Sequence, residues 1–173
     1  RGRFYRVMWQ TTEGWVFRDD IADRAMRVHP AFVVGEENSV DSINTIHVRA
    51  ILGDVFGMGR SEFPLQAGEY VLYKLWKKGL RILWPSIRPR TPGLWHKILR
   101  GVEKVHIGVT PKMGALMEYT TDVDMGHLAY VEAIFPDNTI TVSEANFPDS
   151  GIYNERELRE GEWKELKPVF ITV

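Results

Sequence analysis

At 173 residues, 44% of them hydrophobic and 26% charged, the chain can bury one real core with room for a small appendage. Its net charge of −1, from 22 Lys and Arg against 23 Asp and Glu, gives no overall attraction to nucleic acid or anionic lipid. No apolar run approaches the ~18 residues of a membrane-spanning helix, and the absence of cysteine excludes disulfide bonds and thiolate metal sites. Because the first residue is Arg1 rather than Met, we expect a processed product or part of a longer protein.

Two β-rich runs near the start of the chain, residues 4–9 and 15–17, predict a hairpin around the polar turn 11–14. A lone hairpin is marginally stable, so it should pack on the rest of the chain or end a small barrel that lies upstream. The run Gly14-Trp15-Val16 resembles the end of the Src-homology-type barrels that bind bacterial cell walls. We therefore predict an N-terminal extension over residues 1–36 and a main domain over residues 37–173.

Helices are predicted next. A polar linker over residues 35–40 precedes a first helix, which Ser39 or Asp41 caps and Gly57 and Gly59 end. A second helix should run from Pro64 to Lys78, with a buried stripe that includes Ala67 in its first turns. The loop over residues 82–92 is rich in proline and leads into a short helix that stops at Gly101.

The rest of the chain alternates apolar and polar residues, which is typical of strands. The predicted strands are residues 104–109, 114–119, 127–135, 139–142 and 169–173. A tight turn at Pro136-Asp137-Asn138 joins two of them as an antiparallel hairpin. Helices followed by a meandering antiparallel sheet predict an α+β domain.

The start of the second helix suits a cysteine nucleophile, because helix N-termini stabilise the thiolate, yet Ala67 stands there. Such a thiol needs a histidine base and a third group that orients it. His127 and Glu144 fit these roles on neighbouring strands. His127 and Glu144 are separated from the turn at Asn138 by unequal numbers of residues, so their direct pairing across the strands requires a bulge or a bent ladder.

Four stretches resemble successive signatures of the cysteine, histidine-dependent amidohydrolase/peptidase (CHAP) family. They are Gln66-Ala67-Gly68-Glu69-Tyr70-Val71, Thr110-Pro111-Lys112-Met113-Gly114-Ala115, Gly126-His127-Leu128-Ala129-Tyr130-Val131-Glu132 and Thr139-Ile140-Thr141-Val142-Ser143-Glu144-Ala145-Asn146. The resemblance implies a papain-like fold in which Ala67 occupies the place of the nucleophilic Cys. It also implies a catalytic set of His127, Glu144, Asn146 and Gln66, with the Gln66 amide beside the oxyanion.

Two origins of the alanine compete, a deliberate Cys→Ala replacement and a natural pseudoenzyme. A pseudoenzyme would be expected to lose His127, Glu144, Asn146 and Gln66 as well, so their joint presence favours the deliberate change. A shifted register with Tyr70 as the nucleophile fits the signatures poorly.

Other residues are weaker candidates for function. Trp76, Trp84, Trp95 and Tyr70 could line a substrate groove, although core packing is the commoner role of tryptophan. Asp122 and Asp124 could bind calcium, but a solvated loop is the default. The remaining histidines show no ligand spacing, so neither a metal nor a cofactor is predicted; they are His29, His47, His96 and His106.

The resemblance implies hydrolysis of an amide bond in bacterial peptidoglycan, as an amidase or an endopeptidase, by a monomer at the cell wall or in the periplasm. Because Ala67 lacks the sulfur, we expect this chain to be inactive. One alternative is a small-amide amidase that acts on substrates such as glutathionylspermidine. Another is a catalytically dead wall-binding or phage structural module.

Overall fold

The computed structural model describes residues 4–9, 12–17, 27–29, 45–53, 65–121, 126–147 and 153–173. Nine strands and four helices lie in these ranges. The strands are β1 (Phe4–Trp9), β2 (Thr12–Phe17), β3 (Arg27–His29), β4 (His106–Gly108), β5 (Leu116–Thr120), β6 (Gly126–Ile134), β7 (Ile140–Ala145), β8 (Tyr153–Leu158) and β9 (Val169–Thr172). The helices are α1 (Thr45–Leu52), α2 (Ala67–Lys77), α3 (Trp95–Ile98) and α4 (Glu160–Glu165).

A seven-stranded antiparallel sheet in the order β3-β8-β7-β6-β5-β9-β4 forms the centre of the fold, and β1 and β2 form a separate hairpin. The predicted α+β class is confirmed. The turn between β6 and β7 is also confirmed, because the Phe135 carbonyl accepts the Asn138 N–H at 2.9 Å. Asn138 has φ 61°, a conformation that asparagine tolerates well.

Helix α2 packs on β6 and β7, and side chains on the two faces of the sheet build two cores. One core joins Ala67, Tyr70 and Val71 of α2 to Leu128 of β6 and Ala145 of β7. The other core lies on the opposite face of the sheet, where Trp163 of α4 packs edge-on against Phe170 of β9 with ring centroids 5.8 Å apart. Among the described residues, no helix is long and apolar enough to span a bilayer.

Several boundaries differ from the sequence prediction. Strand β2 begins at Thr12, so Glu13 and Gly14 pair with β1 instead of forming the turn. Helix α2 begins at Ala67, and the predicted start at Pro64 and the caps Ser39 and Asp41 lie outside the described residues. Strand β7 continues to Ala145, so Glu144 lies within the sheet.

Three elements have no counterpart in the prediction, namely β3, β8 and α4. The sequence Tyr153–Leu158 is too polar to show a buried strand face, yet it pairs along its whole length with β7. Helix α4 is six residues long, too short for apolar periodicity, and is anchored by buried Trp163. Strand β3 pairs with β8, so residues 27–29 of the predicted extension contribute a strand to the main sheet.

Candidate active site

The N-terminus of α2 is built by local capping. Gln66 is the N-cap in an extended conformation and Ala67 is the first helical residue. A carboxylate oxygen of Glu69 accepts the Gln66 backbone N–H at 2.9 Å, which satisfies one donor at the start of the helix. Position 67 therefore lies beside backbone N–H groups and the positive end of the helix dipole, the environment that favours an anion.

A buried ion pair holds this helix start against α1. Arg49 Nε donates to Glu69 Oε1 at 2.6 Å, and the terminal nitrogen Nη2 donates to Oε2 at 3.0 Å. Both side chains are almost completely buried, with 2% and 3% of their surface exposed. The same carboxylate thus caps α2 and fixes its position relative to α1.

Two contacts set the direction of α2 across the sheet. Lys74 Nζ lies 2.6 Å from Glu132 Oε1, and one turn earlier the Tyr70 hydroxyl donates to Ser143 Oγ at 2.8 Å. Ser143 pairs with Tyr130, two residues before Glu132 in β6. With rises of about 1.5 Å per helix residue and about 3.3 Å per strand residue, the next turn back along α2 lies over the beginning of β6. Position 67 is therefore at the end of the sheet where His127 lies.

His127 and Glu144 are in direct contact. His127 Nε2 and Glu144 Oε2 are 2.9 Å apart, and both side chains are buried. The register shift that brings them together lies between Val131 and Ala133 of β6, as the unequal distances from the turn require. A carboxylate can only accept, so the Nε2 hydrogen points at Glu144 and Nδ1 of the neutral ring is left as the proton acceptor.

Glu144 is further held by Tyr119 and Arg156. The Tyr119 hydroxyl donates to Glu144 Oε2 at 2.9 Å, and Arg156 Nε donates to Oε1 at 2.7 Å. Arg156 Nη2 also donates to the Tyr119 oxygen at 2.9 Å, and its guanidinium lies 4.5 Å from the centre of the Phe147 ring. Both carboxylate oxygens are thus bonded in a closed network.

The network keeps Glu144 ionised. Burial alone would raise the pKa of this carboxyl, but the His127 hydrogen bond, the Arg156 charge and the Tyr119 hydrogen bond together lower it below its ordinary value. Burial and the Glu144 charge raise the pKa of the Tyr119 hydroxyl, so this group stays protonated and donates. Glu144 is therefore a fixed anion facing the imidazole.

A close backbone crossing borders the site. A Cβ atom at Gly126 would lie 2.0 Å from the Pro92 carbonyl oxygen, so only glycine fits in front of His127. Gly93, with φ 89°, makes the turn on the other side of this crossing. The loop before α3 therefore lies against the first residue of β6.

Alternation along the strands places His127 and Glu144 on one face of the sheet and their neighbours Leu128 and Ala145 on the other. Ala67 belongs to the core that contains Leu128 and Ala145. Position 67 and the His127–Glu144 pair thus lie at the same end of the sheet and on opposite faces.

The other predicted site residues are partly or fully buried. Asn146 follows β7 with φ 58° and is partly buried, as suits a turn that closes the strand. Tyr70 and Trp95 are 2% and 0% exposed, so both side chains lie in the core. Trp84 is half-buried and packs edge-on against Trp95 at 4.8 Å.

The predicted calcium-binding loop, with Asp122 and Asp124, lies outside the described residues. Within the described ranges, no group of three or more His, Asp or Glu side chains is placed to hold a metal ion.

Comparison with protein families identifies the domain. A family model for the CHAP domain matches residues 58–146, just over half of the chain. The chain belongs to the CHAP domain family. The matched range includes the start of α2, the His127 strand and the Glu144 strand.

One solved structure similar to this CHAP domain is an N-acetylmuramoyl-L-alanine amidase from Staphylococcus aureus. The TM-score is 0.51 and the sequence identity 24%, which supports the shared fold. The match covers 62% of this chain and 30% of the amidase chain. No curated relative matches this CHAP domain.

The sequence predicts neither Tyr119 nor Arg156 as part of this CHAP site. Tyr119 pairs with His127 across β5 and β6, and Arg156 lies on β8, a strand the sequence does not reveal. The only available signal for Arg156 is a lone cation in a polar run close to the Ser143-Glu144-Ala145-Asn146 motif. Such a cation usually belongs to a solvated face.

Replacing Arg156 with Met is expected to lower the free energy of unfolding at pH 7 by about 2 kcal/mol, because Glu144 stays buried with one fewer cation. The pKa of Glu144 in the fold lies below its ordinary value of 4.5, so its ionised form stabilises the fold at neutral pH. This stabilisation is lost as the pH falls through the lowered pKa. Without Arg156 that pKa rises, and the loss begins at a higher pH.

Urea unfolding at pH 7 and at several values between about pH 5 and pH 3 measures both effects. Exposed Arg100 supplies the control, since Arg100→Met should change the free energy of unfolding by less than about 0.5 kcal/mol. Equal acid profiles for the two variants would contradict the role assigned to Arg156.

Proposed function

We propose that this CHAP domain is the catalytic fold of a cysteine-dependent amidohydrolase or peptidase that cleaves amide bonds in bacterial peptidoglycan. The observation that carries the proposal is the buried His127–Glu144 contact at the end of the sheet where α2 begins. Ala67 stands in place of the nucleophile, so the chain in its present form binds substrate without cleaving it. A wall substrate places the protein outside the cytoplasmic membrane, at the cell wall or in the periplasm.

In the proposed mechanism, a thiol at position 67 loses its proton to Nδ1 of His127 at the end of the sheet. The thiolate attacks the amide carbonyl, and backbone N–H groups of α2 with the Gln66 side chain stabilise the oxyanion. His127 then returns the proton to the leaving amine, which departs and leaves a thioester. Water, deprotonated by His127, hydrolyses the thioester and restores the thiol.

Glu144 serves the mechanism through His127. Its ionised carboxylate fixes the ring with Nε2 protonated and stabilises the imidazolium that forms during both proton transfers. Tyr119 and Arg156 hold this carboxylate in place as positioning residues. Asn146 closes the strand that carries Glu144.

The test is the Ala67→Cys variant, assayed for release of free amino groups from purified peptidoglycan. We expect release by Ala67→Cys, and none by the unchanged chain or by Ala133→Cys, which introduces a thiol at a partly buried position of β6. Release from wall and none from glutathionylspermidine-like amides separates the proposal from the small-amide alternative. A folded Ala67→Cys protein that releases no amine from either substrate would overturn the proposed function.

A further inference from the structure

Residues 70–102 contain eight Lys and Arg residues and no Asp or Glu. Lys74 pairs with Glu132, and Arg90 lies partly buried over the Trp84 ring at 4.7 Å. The other six are exposed, namely Lys77, Lys78, Arg81, Arg88, Lys97 and Arg100. Lys77 lies over the Tyr73 ring at 5.6 Å but stays exposed. None of the six forms an ion pair with a carboxylate in the part of the chain that the structure describes. The balanced charge of the whole chain conceals this concentration.

The loop over residues 80–90 lies in the middle of this segment and is firmly held. Ile82 is buried, and Trp84 packs edge-on against fully buried Trp95. Trp95 Nε1 donates to the Arg90 carbonyl at 2.8 Å, and Arg90 Nη2 donates to the Pro85 carbonyl at 3.2 Å. The outward placement of the other side chains in the loop is therefore part of the fold.

Aliphatic side chains stand between these cations. Leu83 is 67% exposed, Ile87 52% and Leu80 39%. Partial burial and the charge of Arg88 lower the pKa of Arg90, as expected for cations held close together. Large apolar groups exposed beside cations mark an interaction surface.

The combination of exposed cations and exposed aliphatic side chains distinguishes between classes of anionic partner. Phosphate groups of any polyanion would attract the exposed Lys and Arg residues. A hydrophilic polyanion, however, would leave Leu83 and Ile87 in water, whereas a bilayer accepts aliphatic side chains below the phosphates that bind the cations. A lipid surface therefore accommodates both the cations and the exposed aliphatic side chains of the loop.

We propose that loop 80–90, with the six exposed cations of residues 70–102, docks this domain on an anionic lipid bilayer. The docking is peripheral and independent of catalysis, so it is measured on the chain with Ala67 in place. It would hold the domain at a membrane surface.

The test is co-sedimentation of the full chain with vesicles of phosphatidylcholine alone or mixed with phosphatidylglycerol. We expect binding to the mixed vesicles only, weakened as NaCl rises from about 0.05 M to 0.5 M. Leu83→Ser/Ile87→Ser should weaken binding about tenfold through lost apolar burial. Arg81→Glu/Arg88→Glu should weaken it about tenfold or more.

Matched control variants make the same kinds of substitution outside residues 70–102. Val109→Ser/Met113→Ser alters two side chains that are each 75% exposed, and Lys112→Glu/Lys167→Glu reverses two exposed cations outside the segment. Both control variants should bind mixed vesicles like the unchanged chain. Absence of binding by the unchanged chain would overturn the proposal. The proposal would also be overturned if the unchanged chain bound soluble polyphosphate as strongly as mixed vesicles and Leu83→Ser/Ile87→Ser did not weaken that binding. Such a result would indicate a site for polyanions in general.

Discussion

In the Ala67→Cys protein, replacing His127 with Ala is expected to lower kcat/KM for amide hydrolysis by about a thousandfold or more. The imidazole has two tasks, removal of the thiol proton and its delivery to the leaving amine, and Glu144 holds the ring in place for both. Hydrolysis rates on purified peptidoglycan give kcat/KM. The pH dependence of the rate of thiol alkylation measures thiolate formation separately from hydrolysis.

His106 provides the matched control, because it lies on β4 and its ring is exposed. His106→Ala should retain the activity of the Ala67→Cys protein, with the same pH dependence of alkylation. The experiment also tests the geometry, since position 67 and His127 lie on opposite faces of the sheet. Activity in Ala67→Cys/His127→Ala within about tenfold of Ala67→Cys would exclude His127 as the base.

Replacing Arg49 with Ala is expected to lower the free energy of unfolding by about 3–5 kcal/mol, the cost of leaving a buried carboxylate without its cation. Glu69 is 2% exposed and accepts both guanidinium hydrogen bonds. Because Glu69 also caps α2 through the Gln66 N–H, the loss should reach the helix start that carries position 67. Urea unfolding at pH 7 measures the change.

Two further variants distinguish the cost of an unpaired buried charge from a general loss of stability on substitution. Arg49→Met/Glu69→Leu removes both charges and should lose less stability than Arg49→Ala alone. Lys164→Ala breaks an exposed pair with Glu160 and should cost less than about 1 kcal/mol. A loss for Arg49→Ala as small as that for Lys164→Ala would contradict the structural role of the buried pair.

Local patterns were enough to predict the middle of the sheet. Alternation predicts β5, β6 and β9, and the Pro136-Asp137-Asn138 turn joins β6 to β7, because these signals depend on neighbours in the chain. Strand β8 carries polar residues and exists because β7 offers a free edge along its length. Strand β3 in turn depends on β8. Long-range pairing of this kind leaves no periodic trace in the sequence.

The candidate site divides in the same way. The order of Gln66-Ala67, Gly126-His127 and Ser143-Glu144-Ala145-Asn146 identifies the family, and the chemistry of each residue type suggests its role. The sequence likewise determines that position 67 carries no sulfur.

Tertiary structure decided which side chains surround those residues. Arg156 reaches Glu144 only because β8 pairs with β7, and burial of the carboxylate makes that cation necessary. Likewise, the 80–90 loop exposes Leu83 and Ile87 because Trp84 is held against Trp95, whereas composition alone gives a nearly neutral chain. The identity of the side chains and their spacing along the chain come from the sequence alone. Their charge states, partners and exposure depend on burial and on which side chains the fold brings close together.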